Sequence, residues 1–120
     1  GDDDADLKAI KMRLEAALDA FESCVDYVVK NYMSDPLVVH AGSVPFLQLS
    51  GIVCGGWQMA RAARIARNKL DAGEGDAAFL TAKLKTARFY ADHVLTRVSG
   101  LREVVLSGAS SVVEFPEDRF

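Results

Sequence analysis

The apolar residues of this chain recur at steps of three and four positions in three separate stretches. The first stretch carries Leu7, Ile10, Leu14, Ala17, Phe21, Cys24 and Val28. The second carries Leu49, Ile52, Gly56, Met59, Ala63, Ala66 and Leu70, and the third carries Leu80, Leu84, Ala87, Ala91, Val94, Val98, Leu101 and Val105. This spacing places apolar side chains on one side of an α-helix, whereas a half-buried strand alternates every two residues. We therefore predict an all-α fold of three long helices.

Two breaks separate these stretches and set the predicted helix bounds. The helices are expected to run from about Asp4 to Tyr32, Val44 to Leu70 and Ala77 to Leu106. Pro36 disfavours the helical conformation at Asp35 and ends the first helix. Ser43 is a candidate N-cap of the second helix, Gly73 a candidate left-handed stop, and Asp76 a candidate N-cap of the third. Because the connections are short, we expect an antiparallel, up-down-up bundle.

The length of 120 residues fits one domain with its own core. We expect the bundle to span residues 1–108, because Gly108 follows the last apolar position and favours a helix end. Residues 109–120 lack an apolar line and are predicted to form a flexible tail. Three side chains of this tail are candidates for packing back on the bundle: Val112, Val113 and Phe115.

The middle of the chain contains no Asp, Glu, Lys or Arg between Asp35 and Arg61. A membrane helix needs about 20 predominantly apolar residues. Pro, His, Gly and Gln interrupt this stretch, so we expect a loop followed by a buried helix and no membrane span. The first half of that helix is apolar on nearly all sides and must be covered on more than one of them.

We predict an interface on the outer side of the second helix. Its candidate residues are Leu47, Cys54, Trp57 and Arg61. Two interpretations of Trp57 remain open. It is either an anchor for a partner or a side chain packed under the chain's own 36–44 loop or tail, with Arg61 over the ring.

Charge is unevenly distributed along the chain, with an acidic first helix and more basic later ones. The net charge of −3 and the pI of about 5.3 argue against a general affinity for nucleic acid or anionic membranes. We expect acids and bases to pair within the fold. The carboxylates Glu15, Asp19, Glu22 and Asp26 are predicted to be solvated surface, and so are the bases Arg61, Arg64 and Arg67.

No catalytic, cofactor-binding or metal-binding residue is predicted in this chain. His40 and His93 have no second ligand at metal-binding spacing. Cys24 and Cys54 are expected to be buried thiols in a reducing compartment, without a disulfide between them.

Two glycines of the second helix, Gly51 and Gly55, form a GxxxG motif, and Gly56 and Ala60 continue the small surface. No strand is predicted before them, so the motif favours close helix–helix packing over a phosphate cradle.

Two segments resemble a known family. Residues 51–63 are Gly-Ile-Val-Cys-Gly-Gly-Trp-Gln-Met-Ala-Arg-Ala-Ala. Residues 83–95 are Lys-Leu-Lys-Thr-Ala-Arg-Phe-Tyr-Ala-Asp-His-Val-Leu. Together they resemble the extra C-terminal domain of a subgroup of acyl-CoA dehydrogenases, which includes enzymes acting on 3-methylmercaptopropionyl-CoA and on long-chain acyl-CoAs. The residues that match the recurrent pattern of this domain are Trp57, Arg61, Lys83, Arg88, Phe89 and Tyr90. Their spacing is equally consistent with a purely structural role, in which the aromatic rings pack and the arginines pair with acids.

The resemblance implies a parent oxidoreductase that holds FAD, removes an α-proton from an acyl-CoA with a glutamate, and passes the β-hydride to the flavin. In the family those parts lie upstream of this domain, and no residue here matches them. The fragment is therefore expected to be inactive and to hold no cofactor. Its expected partners are the remainder of the parent dehydrogenase and a second subunit, with acyl-CoA bound only through the parent and a cytoplasmic location.

The chain begins at Gly1 without a methionine, which favours an excised piece of a longer protein. The alternative is a stand-alone helical adaptor that binds a protein partner or nucleic acid through Arg61, Arg64 and Arg67.

Overall fold

The computed structural model of the chain describes residues 4–113, which are almost entirely helical. The elements are α1 Ala5–Asn31, α2 Pro36–Ala41, α3 Ser43–Asp71, α4 Ala77–His93, a 3₁₀ turn Leu95–Arg97 and α5 Val98–Val113. No strand occurs within residues 4–113. The predicted all-α class is confirmed.

Local signals set the starts of α1 and α4, which agree with the predicted bounds at Asp4 and Ala77. The Asp4 carboxylate accepts a 2.9 Å hydrogen bond from the main-chain N–H of Leu7 and caps α1. Asp76 caps α4 by accepting from the N–H groups of Ala78 and Phe79. Gly73 follows α3 with a φ of 69°, a conformation that costs glycine little.

The segment between α1 and α3 is more ordered than a loop. Pro36 begins the short helix α2, where its missing N–H leaves no bond unmade. The predicted N-cap role of Ser43 is wrong. Gly42 occupies the N-cap position of α3 without a side-chain cap, and the Ser43 hydroxyl donates backwards to the carbonyl of His40.

The third predicted helix is interrupted, which corrects the expectation of one helix over residues 77–106. α4 ends at His93, and the 3₁₀ turn follows before α5 begins. This turn moves the buried position from Val94, which is half-buried, to Leu95, which is 3% exposed. The Leu95 side chain fills the space that a Cβ atom on Gly56 would occupy. Packing against α3 thus favours the interruption over a continuous helix.

The last helix also ends later than predicted. α5 continues through Gly108 to Val113, so Gly108 does not end the helix and residues 109–113 are helical. Glycine is a poor helix former, but helix propensity is a weak constraint that packing overrides. α5 is packed in this way, since its Val105 is buried beside Gly42. The predicted flexibility of residues 114–120 and the packing of Val112, Val113 and Phe115 lie outside the described residues.

The core follows the predicted apolar lines with few exceptions. Its buried members are Ile10, Ala17, Cys24, Leu49, Val53, Ala63, Ala66, Leu80, Leu84, Ala87, Ala91, Leu95, Val98 and Val105. Val53 is buried although it stands beside the predicted line of α3.

No helix within the described residues is long and apolar enough to cross a membrane.

The contacts between helices fix how α1 lies along α3. Asp4 at the start of α1 pairs with Arg67 near the end of α3, with 3.0 Å between the charged atoms. Phe21 in the second half of α1 stacks on Phe46 in the first turn of α3, at 5.9 Å between ring centroids. α1 and α3 therefore lie side by side over most of their length and form one broad outer face.

Candidate functional site

The predicted interface residues lie on the solvent side of α3. Leu47 is 72% exposed, Trp57 is 50% exposed, and Cys54 and Arg61 are exposed as well. Steps of three, four and seven residues place the four side chains along one side of the helix. The structure thus brings these four residues onto one surface, and their role as an interface stays a prediction.

The exposure of Trp57 agrees in part with each of its two interpretations, an anchor for a partner and a side chain packed on the chain itself. Half of its surface is in contact with the chain, and half is open. The guanidinium carbon of Arg61 lies 5.8 Å from the centroid of the Trp57 ring, a cation–π distance. Arg61 therefore covers part of the ring, and within residues 4–113 it forms no ion pair with an acid.

Beside Trp57, a groove of about 830 Å³ runs between α1 and α3. Leu14, Trp57 and Ala60 contribute apolar surface to it. Its cationic lining comes from Lys8, Lys11, Arg61 and Arg64, and none of the described residues that line it is acidic. Sequence reasoning found the bases of α3 but missed the two lysines, because only the packing of α1 on α3 brings them to the same groove.

Ion pairs between α1 and α4 hold the other side of the first helix. Asp6 accepts from Lys85 at 2.7 Å and from Arg88 at 3.0 Å. Arg88 also donates to Asp92 at 2.8 Å. The predicted pairing of acids and bases within the fold is confirmed here, and so is the pairing of Arg88 with acids.

These pairs shift the protonation of the acids involved. The hydrogen bond from Arg88 lowers the pKa of Asp92 below its usual value. At the cap of α1, the hydrogen bond from the main chain of Leu7, reinforced by Arg67, lowers the pKa of Asp4. Both carboxylates are therefore held in the charged form by their partners, as expected for structural ion pairs.

Tyr90 joins α4 to α3. Its hydroxyl donates a 2.8 Å hydrogen bond to the main-chain carbonyl of Ile52. Burial raises the pKa of this hydroxyl. The approach is possible because Gly55 lacks a side chain: a Cβ atom there would collide with the Tyr90 oxygen.

The prediction that the GxxxG motif and Gly56 pack closely against another helix is thus partly corrected. Gly55 and Gly56 admit Tyr90 and Leu95, so close helix packing through small residues is confirmed for them. A Cβ atom on Gly51 would meet nothing within 4 Å, so this glycine makes no close contact.

The two cysteines differ. Cys24 is buried, as predicted, and burial raises the pKa of its thiol. Cys54 is exposed, so its predicted burial is wrong: α3 turns this position away from the core. Both thiols are free. Within residues 4–113, no cluster of three or more His, Cys, Asp or Glu side chains is placed to hold a metal ion.

Comparison with known proteins supports the resemblance found in the sequence. Residues 2–116 match the family model described as acetyl-CoA dehydrogenase C-terminal like. The chain belongs to this family. Over 90 residues, which are 75% of the chain, it is 42% identical to 3-methylmercaptopropionyl-CoA dehydrogenase of Ruegeria pomeroyi. The match covers 15% of that relative's length.

In this C-terminal-like domain, the remaining residues of the recurrent pattern lie on α4. The Lys83 ammonium lies 5.4 Å from the centroid of the Phe79 ring, and Phe89 stacks on His93 at 4.4 Å between centroids. Phe79 and Phe89 are both exposed. The pattern residues therefore divide into a packing group around Tyr90 and Arg88 and an exposed group that includes Trp57 and Phe89.

Proposed function

We propose that this chain is the non-catalytic C-terminal domain of a flavin-dependent acyl-CoA dehydrogenase, whose parent reaction is the α,β-dehydrogenation of an acyl-CoA thioester. Its role is packing or subunit assembly near the acyl-CoA site. The observation that carries this role is the exposed side of α3, where Leu47, Cys54 and half of Trp57 form an apolar surface that the described chain leaves open.

Burial of this surface would be favourable. Removing apolar area from water stabilises by about 25 cal/mol per Å². Contiguous exposed apolar patches of more than roughly a few hundred Å² are uncommon on monomers and mark interaction sites. The half-exposed Trp57 is the type of residue that contributes most to interfaces. The chain belongs to a family of C-terminal domains, and its match covers 15% of the length of its relative. The larger partner in this proposal is therefore the remainder of the parent dehydrogenase.

The cofactor and the chemistry belong to the remainder of the parent in this proposal. FAD, acyl-CoA and the base that removes the α-proton are bound or supplied upstream, and the enzyme is cytoplasmic. Arg67, Arg88 and the acids beside them are engaged in contacts between helices, as structural ion pairs are. The chain alone is proposed to bind no FAD and to have no dehydrogenase activity.

The up-down-up course of the long segments is part of the same proposal. It is supported by the contacts of Asp4 with Arg67 and of Phe21 with Phe46, at opposite ends of the α1–α3 pair. With α4 and α5 acting as one interrupted third segment, α1 and α3 remain free to present their shared outer face.

The test begins with the gene. The reading frame upstream of the codon for Gly1 should encode the flavin and acyl-CoA segments of a dehydrogenase. The whole protein should then show a flavin absorbance band and acyl-CoA-dependent reduction of an electron acceptor, and the purified 120-residue chain should show neither. A yellow chain, or a gene without a dehydrogenase upstream, would refute the proposal.

The alternative function is a stand-alone adaptor for an acidic protein partner or for nucleic acid. The observation in its favour is the groove with Lys8, Lys11 and Arg61 around an apolar floor. Salt-dependent binding of the chain to DNA or RNA would support it. A native initiator methionine directly before residue 1 would also support it.

A further inference from the structure

A line of charges runs along the outer side of α1 and changes sign part-way. Its members are Lys8, Lys11, Glu15, Asp19, Glu22 and Asp26, spaced by three or four residues and all exposed. This spacing places them on one side of the helix. Within residues 4–113, none of the six forms an ion pair. The line is therefore basic near the start of α1, acidic toward its end, and open to a partner.

α3 extends this pattern into a two-helix face. Arg61 joins Lys8 and Lys11 around the groove, so the basic end has members on both helices. The stack of Phe21 on Phe46 brings the first turns of α3 beside the acidic end of α1. The α1/α3 face thus has a basic end and an acidic end, and the exposed Trp57 and Leu47 lie along it.

We infer that the α1/α3 face binds the same face of a second copy of this chain. The inference rests on the proposed function, because it names the partner for the assembly role given there. A two-fold interface is self-complementary. Residue i of one copy contacts residue j of the other, and residue j of the first copy contacts residue i of the second. A face that is basic at one end and acidic at the other meets this requirement without any second surface.

The charges also select the direction of the axis. A two-fold axis parallel to α1 would place basic end on basic end and acidic end on acidic end, which is repulsive. An axis perpendicular to α1, lying in the interface, reverses the second copy and places each basic end on an acidic end. The two α1 helices then run antiparallel across the interface, and so do the two α3 helices.

The spacing of the charges fits this arrangement. Lys8 and Lys11 are three residues apart, and so are Asp19 and Glu22. In an antiparallel pair of α1 helices, Lys8 therefore meets Glu22 of the second copy while Lys11 meets its Asp19. The symmetry repeats both pairs on the other half of the interface. Glu15 lies midway and faces the axis.

The size of the face is adequate for a stable dimer. α1 has 27 residues and α3 has 29. Helices of this length extend about 40 Å at 1.5 Å per residue. Two helices side by side, with axes about 10 Å apart and their side chains included, give a face about 20 Å wide, or roughly 800 Å² per copy. That area is typical of specific interfaces.

The first experiment is sedimentation velocity of the 120-residue chain over concentrations up to about 100 µM. We expect a monomer–dimer equilibrium that weakens with salt. Trp57 is the only tryptophan, so its fluorescence should shift to shorter wavelength as the dimer forms. A chain that remains monomeric throughout this range would overturn the inference.

Charge reversal then tests the antiparallel pairing. Reversing one end, as Lys8→Glu with Lys11→Glu, should weaken dimerisation by at least about tenfold, because attraction becomes repulsion on both halves. Asp19→Lys with Glu22→Lys should do the same. Mixing the two variants should restore association as a heterodimer, since the reversed side chains of one face those of the other. If both variants weaken the dimer and the mixture stays monomeric, the antiparallel pairing is wrong.

The matched control is Lys69→Glu with Lys83→Glu, two exposed lysines beside the α3–α4 contact. It makes the same change in net charge and should leave dimerisation unchanged. Equal weakening by this control would mean that net charge alone governs association, which would overturn the assignment of the face. Far-UV circular dichroism should show the same helix content in all variants.

Glu15 supplies an independent test with the opposite sign. It faces its own counterpart across the proposed axis, where two like charges repel. Glu15→Gln should therefore strengthen the dimer by about twofold or more, an effect that a loss of negative charge away from the α1/α3 face would not produce. The comparison variant is Glu74→Gln, at an exposed position between α3 and α4, which should not strengthen it. Equal effects of the two substitutions would contradict the position of the axis.

This inference and the proposed function fail in different ways. A monomeric chain whose α1/α3 face binds the upstream part of the dehydrogenase would overturn the second-copy partner and leave the assembly role standing. A gene with no upstream dehydrogenase would overturn the proposed function, whatever the association state of the chain.

Discussion

The hydroxyl of Tyr90 donates a hydrogen bond to the main-chain carbonyl of Ile52 at 2.8 Å, across the contact between α4 and α3. The missing side chain of Gly55 makes room for this bond, and the missing side chain of Gly56 makes room for Leu95 one residue later. Two adjacent glycines on α3 therefore set how closely α4 and the 3₁₀ turn approach. This contact and the α1/α3 face lie on different sides of α3, so their effects can be measured separately.

Alanine substitutions at Gly51 and Gly56 should change the stability of the fold in opposite directions. Gly51→Ala should stabilise the fold by up to about 1 kcal/mol, because alanine is the better helix former and its Cβ meets open space. Gly56→Ala should destabilise it by about 1–3 kcal/mol, because the buried Leu95 must move. The measurement is urea unfolding followed by circular dichroism. Equal effects at the two positions would contradict the close approach at Gly56.

Tyr90 and Gly55 should be energetically coupled. Tyr90→Phe removes the hydroxyl and its bond to Ile52, at a cost of about 1 kcal/mol. Gly55→Ala should be destabilising in the wild-type background and less so beside Phe at position 90, because the colliding oxygen is gone. A double-mutant cycle measures this difference. Strict additivity would show that the alanine methyl group and the tyrosine hydroxyl do not meet.

Acid should release the cap of α1. The pKa of Asp4 is lowered in the folded state by the N–H of Leu7 and by Arg67. A lowered folded pKa contributes stability that is present above the unfolded value of 3.8 and is lost as the pH falls through the folded value. Asp4→Ala should cost about 1 kcal/mol at pH 7, whereas Asp4→Asn should retain most of the cap.

The two Asp4 variants separate the cap from the charge. Unfolding midpoints at pH 7 and at pH 3 provide the measurement. The loss of stability between these pH values should be smaller in Asp4→Asn than in the wild type, since the variant has no carboxyl group to protonate. An unchanged pH dependence in Asp4→Asn would show that this cap does not contribute to acid sensitivity.

Removing Arg88 should weaken the α1–α4 contact in a salt-dependent way. Arg88→Ala loses the pairs with both Asp6 and Asp92, so its melting temperature should fall below that of the wild type at low ionic strength. The difference should shrink in high salt, which screens exposed pairs. Arg97→Ala is the control, because Arg97 is exposed and forms no ion pair within residues 4–113. Identical salt behaviour of the two variants would contradict a role for the pairs.

The two thiols should react at different rates. Cys54 is exposed and should react rapidly with a thiol reagent in the native state. Cys24 is buried with a raised thiol pKa, so its reaction should wait for unfolding. Titration with a chromogenic disulfide before and after denaturation counts each thiol. Cys54→Ser should remove only the fast phase. Two fast thiols in the native chain would contradict the burial of Cys24.

Local chemistry made much of the fold predictable. All buried core residues of α1, and all of α3 except Val53, lie on the predicted apolar lines, because a helix that buries one side must repeat apolar residues every three or four positions. Asp4 and Asp76 act on N–H groups two or three residues away, and Gly73 adopts its conformation within one residue. Signals of such short range are visible in the sequence itself.

The surface was predictable in part. The absence of charge around Leu47 and Trp57 indicated an α3 that needs cover, and the structure places both side chains on its open side. The lysines of the groove were not predictable, because Lys8 and Arg61 are far apart along the chain and only helix packing brings them together. The same holds for the exposure of Cys54, which depends on the side of α3 that the neighbouring helices cover.

The sequence by itself determined the helical class, the cap of α4 at Asp76 and most of the core, since these depend on residues within one helical turn of each other. The tertiary structure decided where the third segment is interrupted. Val94 and Leu95 fit an apolar line almost equally well, and only the gap above Gly56 on α3 favours Leu95. It also decided which charges are paired, because Arg88 reaches Asp6 across the bundle whereas Lys11 and Glu22, on the outer side of α1, have no such neighbour within the described chain.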